Sequence, residues 1–243
     1  GSGVVGAPPL NAANQAPLYV ISNPTGCSAG FGFVGGIIHG GPRTVPNYGS
    51  FNNGYIFAAS ESSNAIETYD AVGAVPGPIT ECPLSYETSP YLISPSGPSA
   101  NGGLLPVLHA RLFNANGNTV TRSYFNGAYT PPGAGDVWSV GANTQGTALD
   151  MSQPGGDLWV TTSQGGIGAV YLCTGVNTGS FPTGCPTSPT IGGLSYPVFP
   201  KAAANRLFVP DQNLGTVIEY QESTALQKAT FINLASPWDV AGV

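Results

Sequence analysis

Glycine and proline punctuate this chain so densely that no long helix fits between them: 35 Gly and 23 Pro in 243 residues. In a helix interior Gly costs roughly 1 kcal/mol and Pro roughly 3 kcal/mol relative to Ala, which excludes a helical bundle or a coiled coil and disfavours most α/β folds. Short strands joined by tight turns tolerate both residues. Hydrophobic residues at 41% and aromatics at 10% supply a buried core, which separates the chain from disordered sequences rich in Gly and Pro. The expectation is one ordered, all-β domain.

Charged residues make up 7% of the chain against about 25% in an ordinary soluble domain, and the net charge is -6. The basic residues Arg43, Arg111, Arg122, Lys201, Arg206 and Lys228 are scattered singly. A nucleic-acid partner needs clustered Lys and Arg to displace counterions, so none is expected, and the same dispersal leaves no polybasic membrane patch. No apolar run is long enough to span a bilayer. The surface must be covered by neutral polar side chains, whose hydration depends little on salt or pH. The chain opens at Gly1 rather than Met, which fits a removed leader and a start further upstream equally.

The cysteines Cys27, Cys82, Cys173 and Cys185 form no C-x-x-C pair, which disfavours zinc. Cys173 and Cys185 bracket the turn-rich stretch TGVNTGSFPTG. A disulfide there closes a small loop worth on the order of 3 kcal/mol, and Cys27 then pairs with Cys82 by elimination. Four buried free thiols are the alternative. Bridged cysteines place the chain in an oxidising setting: extracellular, cell surface or periplasm.

Residues 1–16 have small side chains and no periodicity, and read as an extended arm; residues 17–243 read as the domain. Within it a unit recurs: a β-rich run, a polar or glycine turn, a second β-rich run. PLYVISNPTGCSAGFGFV begins at Pro17, GYIFAASESSNAIETYDA at Gly54, DLWVTTSQGGIGAVYLCT at Asp157 and RLFVPDQNLGTVIEYQES at Arg206. Their first strands centre on Leu18, Ile56, Leu158 and Leu207, spaced by 38, 102 and 49 residues. The long middle interval holds a further unit, VLHARLFNANGNTVTRSYFN from Val107, with Asn116-Gly117 as its expected hairpin turn. Short apolar segments precede the units: PNYGSF, SPYLIS, TALDMS and YPVFP. The last such segment, SPWDVAGV, has no unit after it, and the first unit has no clear segment before it. A ring joins these ends, with Trp238–Val243 as inner strand of the blade begun by Leu18–Ser22, and removes exposed sheet edges.

GYIFAASESSNAIETYD and RLFVPDQNLGTVIEY resemble the blade repeat of NHL and YVTN-type β-propellers, and Pro237-Trp238-Asp239-Val240-Ala241 resembles the innermost strand of those repeats. The resemblance covers about half the chain. It implies a β-propeller, here of about five blades, closed by the C-terminal strand. A β-sandwich with regular turns is the alternative.

Chemistry is sparsely signalled. His39 and His109, the two histidines, have no second His, Cys or carboxylate at ligand spacing, so no metal is expected. No G-x-S-x-G, H-E-x-x-H or phosphate-binding glycine loop occurs, and no cofactor is expected. Of Asp70, Asp136, Asp150, Asp157, Asp211 and Asp239, Asp150 and Asp239 lie on the best-aligned inner segments, where a ring would bring acids from different blades together as a glycosidase does. Trp138, Trp159 and Trp238 suit sugar stacking or packing between blades.

The sequence therefore reads as a secreted or surface-displayed propeller without catalytic, metal or cofactor residues, serving as a binding or assembly module. Its partners are other copies, in a homo-oligomer or filament, other surface proteins, or glycans. The alternatives are a propeller enzyme of lactonase, lyase or glycosidase type using Asp150, Asp239 and His109, and a carbohydrate-binding lectin.

Overall fold

The computed structural model describes residues 20–21, 55–60, 64–70, 78–79, 85–93, 95–100, 110–125, 129–150, 155–177, 181–203 and 205–237. Its elements are β1 (Val20–Ile21), β2 (Tyr55–Ser60), β3 (Ala65–Asp70), β4 (Pro78–Ile79), β5 (Ser85–Thr88), β6 (Pro95–Ala100), β7 (Ala110–Asn116), β8 (Thr119–Phe125), β9 (Tyr129–Thr130), β10 (Val137–Ser139), β11 (Thr144–Asp150), β12 (Asp157–Gln164), β13 (Ile167–Thr174), β14 (Ile191–Leu194), β15 (Lys201–Ala203), β16 (Arg206–Asp211), β17 (Thr216–Gln221) and β18 (Leu226–Phe231). A 3-10 turn spans Ala134–Asp136, and no α-helix occurs among the described residues.

The strands form consecutive antiparallel meanders: β2-β3-β5, then β6-β7-β8-β10 with β9 beside β8, then β11 to β14, then β15 to β18. The first strands β6, β11 and β15 of successive sheets lie side by side, and each sheet stacks against the next. Alternation along β12 shows why. Leu158 and Val160 enter a core with Phe113, Val120, Trp138 and Cys173, while Trp159 between them enters another with Leu207, Val209, Ile218 and Tyr220. A strand buried on both faces reads as a continuous apolar run, and β12 is buried from Leu158 to Ser163. Full burial of each such side chain is worth about 1.5–3 kcal/mol, so these inter-sheet cores hold the stack together.

The hairpins of the units from Gly54, Val107, Asp157 and Arg206 form, one of them with a shift. The turn after β7 is Gly117-Asn118, with Gly117 at φ +59°, rather than Asn116-Gly117. Asn116 is held in the strand because its buried amide is used elsewhere: Oδ1 accepts from Ile93 N, and Nδ2 donates to Tyr91 O at 2.7 Å. The inner segments also shift. TALD lies within β11 as expected, but residues 89–93 of SPYLIS, and YPVFP, are linkers on the way to β6 and β15. Asp211 holds the second linker by accepting from Ser195 N (2.7 Å) and Tyr196 N (3.0 Å). Close packing there needs Gly168, where a Cβ would fall 2.2 Å from Pro197 Cδ.

Of the first expected unit, Val20–Ile21 is described, and it pairs in parallel with Pro78–Ile79. The arm 1–16, PNYGSF and Trp238–Val243 lie outside the described residues, as do Cys27, Cys82, His39, His109 and Asp239. Cys173 and Cys185 form a disulfide.

Candidate functional site

The described carboxyls divide into those that tie the structure together and those that gather at one point. Asp136 Oδ1 accepts from Arg122 Nε (2.9 Å) and Nη2 (2.7 Å), and from Tyr124 OH (3.3 Å). Asp211 caps a linker and adds a contact from Leu214 N at 3.3 Å. These two are structural.

The gathering point lies where the β12 sheet meets the β16 sheet. Asp150 ends β11 and stands opposite Asp157, which begins β12. Two residues further on, Trp159 points to the same side and crosses to the neighbouring sheet, where its Nε1–H donates to Glu222 Oε1 at 2.7 Å. Glu222 follows β17 directly, and its backbone N–H donates to Asn205 O at 3.2 Å. Asp150 and Glu222 are each only 4% exposed.

Glu222 and Asp150 lie close enough for hydrogen bonding and charge to couple their carboxyls. Two carboxyl groups make such a bond only when one keeps its proton. Burial first, and then the bond to Asp150 and its charge, push the Glu222 carboxyl up to about 8; Asp157 adds to the shift and the Trp159 donor opposes it. Oε1 takes the indole N–H, and Oε2 is buried with no other group donating to it. Asp157 is also raised, by burial and then by Asp150, against a lowering hydrogen bond from the Gly175 backbone. This arrangement stores a proton between two sheets, shut away from solvent. No group of three or more His, Cys, Asp or Glu among the described residues is placed to hold a metal ion.

Of the acids singled out in the sequence, Asp150 thus does meet a second carboxyl, but the partner is Glu222, which the sequence reading passed over. Asp239, its expected partner, lies outside the described residues. The signal for Glu222 is register. Leu158 pairs with Cys173 and Leu207 with Tyr220, so Glu222 occupies the position that Gly175 holds in the preceding sheet. Trp138 and Trp159 are 5% and 0% exposed and belong to the cores.

No family model matches the chain, and no curated protein matches it. Solved structures do. A proposed 6-phosphogluconolactonase from Bacteroides uniformis is 13% identical with a TM-score of 0.51, over 75% of this chain and 52% of that one. Virginiamycin B lyase from Staphylococcus aureus is 16% identical with a TM-score of 0.45, over 74% and 52%. A nidogen/laminin complex is 13% identical with a TM-score of 0.46, over 73% and 59%. The chain thus spans between about half and three fifths of the length of these structures. Likeness at such identity speaks to fold alone, and it supports an all-β, propeller-type architecture.

Proposed function

We propose that this chain is an extracellular or cell-surface β-propeller of about five blades, closed by its C-terminal strand, that works by surface contact and assembly rather than by catalysis. The observation that carries the reading is the division between what is hidden and what is shown. The described carboxyls that come together, Asp150 and Glu222, are closed off from solvent, while Ile93, Ile167, Leu226 and Ile232 stand at least 60% exposed. Large apolar side chains in water mark contact surfaces when they gather. The Cys173–Cys185 bridge supports an oxidising setting. A lectin built on tryptophan stacking has less support, because Trp138 and Trp159 offer no free ring face.

The enzyme reading rests on the Asp150–Glu222 pair, which resembles an acid–base couple in sharing a proton. A substrate would have to enter between two packed sheets to reach it. The discriminating experiment measures mass against concentration by light scattering on the whole chain, beside a lactonase, lyase and glycosidase screen of wild type and Asp150→Asn. Concentration-dependent association without turnover is expected. Turnover in the wild type, lost in a folded Asp150→Asn variant, would overturn the assembly reading.

A further inference from the structure

The first strands of successive sheets lie side by side, so the last strands, β5, β10, β14 and β18, form the outer edges, where main-chain N–H and C=O groups are open to pairing with another chain. Three of these edges are too short or too irregular to act as templates. β10 has three residues and β5 and β14 have four each, and β14 contains Gly192-Gly193, with Gly193 at φ +79°. β18 differs. It runs for six residues, pairs with β17 on one side and has no strand on the other among the described residues. Every position but Ala229 is exposed, Leu226 at 60% and Phe231 at 49%. From Ser223 to Ser236 the chain contains neither Gly nor Pro, and its one charged residue is Lys228. Without that charge the segment has the character of strands that pair between molecules. Lys228 also stands at an irregular point: Ala229 pairs with Glu219 and Gln227 with Tyr220, so Lys228 has no partner on β17 and is the extra residue of a bulge. Gln227 Nε2 donates to Thr230 Oγ1 at 2.7 Å and ties the strand across that bulge.

We propose that Lys228 is a guard on this edge: its charge, set on a bulge in the middle of the strand, keeps β18 of one copy from pairing antiparallel with β18 of another. The strand's own sequence makes a second copy the occupant to exclude. Two-fold pairing over its whole length sets Leu226 opposite Phe231 and Gln227 opposite Thr230 of the second copy, apolar against apolar and polar against polar. The same register sets Lys228 opposite Ala229 and so brings the two ammonium groups onto neighbouring rungs at the centre. Like charges so placed repel, and pairing would strip them of water. Lysine and a bulge are the two devices that blunt a sheet edge, and here one residue supplies both. The whole-molecule charge acts in the opposite sense. Loss of this one positive charge takes the net charge from -6 to -7, so copies repel more, and any association gained on removing it arises at the edge. The inference does not rest on the assembly reading, since it concerns an edge that the chain keeps unpaired however its copies otherwise meet.

The test is sedimentation velocity on the whole chain, wild type beside Lys228→Val and Lys228→Glu at matched concentrations, with amide hydrogen exchange read over residues 226–231 and circular dichroism to verify folding. Lys228→Val should pair through this edge at a concentration roughly tenfold or more below any at which wild type does, with further amides among 226–231 protected as it pairs. Lys228→Glu keeps a charge at the centre of the strand and should behave as wild type. If Lys228→Val fails to fold, Lys228→Thr, also uncharged and suited to a strand, takes its place. A folded uncharged variant that sediments as wild type, with 226–231 exchanging as freely, would overturn the guard. Pairing through β18 in Lys228→Glu, or in wild type at the same concentrations, overturns it as well. A wild type that associates while exchange over 226–231 stays unchanged agrees with the guard and places the contact of the assembly reading elsewhere on the chain. A wild type that stays monomeric, beside an uncharged variant that pairs, supports the guard and counts against the assembly reading alone.

Discussion

Glu222 holds its proton because the alternative is to place a second negative charge beside Asp150 with almost no water to screen it. The consequence for stability follows from where that proton goes on unfolding. In the unfolded chain Glu222 titrates near its ordinary 4.5, whereas in the folded chain it titrates near 8. Between those values the folded state binds the extra proton, so stability falls as pH rises through this window, by up to about 1.4 kcal/mol per pH unit, and levels off above it. Below pH 4.5 both states are protonated and the group contributes no pH dependence. Glu222→Gln keeps an oxygen for the Trp159 N–H, offers an N–H to Asp150 and stays neutral throughout. Thermal unfolding followed from pH 5 to 9 should therefore show the variant gaining on wild type as pH rises; parallel curves would sink the shared proton. Sequence reading marked Asp150 by its place in TALD but missed Glu222, because the pair is made by strand register across two sheets, and neighbouring letters do not record which sheet lies against which.

The loop between β13 and β14 acts as a clasp between sheets, at the level of the element. It follows β13, whose Cys173 is fully buried, and is tied back to it by the bond from Cys173 to Cys185. Within it Phe181 is driven into the neighbouring β7 sheet: its ring meets Phe113 edge-on at 5.3 Å, and the Arg122 guanidinium lies 5.2 Å from its centroid. Arg111 Nη1 donates to Asn177 O from the same neighbouring sheet. The bridge limits the freedom of the loop in the unfolded chain and so favours the seating of Phe181. Replacing both cysteines by Ala should cost about 3 kcal/mol, read as a lower midpoint in urea. Phe181→Ala with the bridge intact should cost about 3–5 kcal/mol. A cysteine-free variant with an unshifted midpoint would show that packing alone seats the loop. Hairpins of this kind were legible beforehand, since glycine turns between alternating runs carry a local signal. The linkers were not: SPYLIS and YPVFP look like strands because they are apolar, yet Asn116 and Asp211 bind their backbones as turns. Those side-chain bonds join residues 15 to 25 positions apart, beyond the reach of periodicity.

Stacked sheets bury both faces of every inner member and leave a problem for the first and last, and a propeller solves it by joining them. The proposed closure assigns that task to Trp238–Val243, set against the strand that holds Val20 and Ile21. Its energetic weight can be bounded. Placing a Trp and two Val in a core amounts to several side chains of about 1.5–3 kcal/mol each, less the entropy of ordering six residues at roughly 1–2 kcal/mol apiece. The local sum is therefore close to zero. Closure would act chiefly on the sheets it shields, since opening the ring exposes the outward faces of two blades at once. Removing residues 238–243 should accordingly lower the thermal midpoint by about 10 °C or more, since each kcal/mol corresponds to about 2–4 °C in a chain of this size. It should also broaden the transition, as the end sheets would unfold ahead of the middle ones. Removing residues 1–16, the arm, should leave the midpoint in place. If the C-terminal deletion melts with wild-type midpoint and sharpness, the strand seals nothing, and the stack of sheets draws its cooperativity from the inter-sheet cores around Leu158, Trp159 and Leu207 alone.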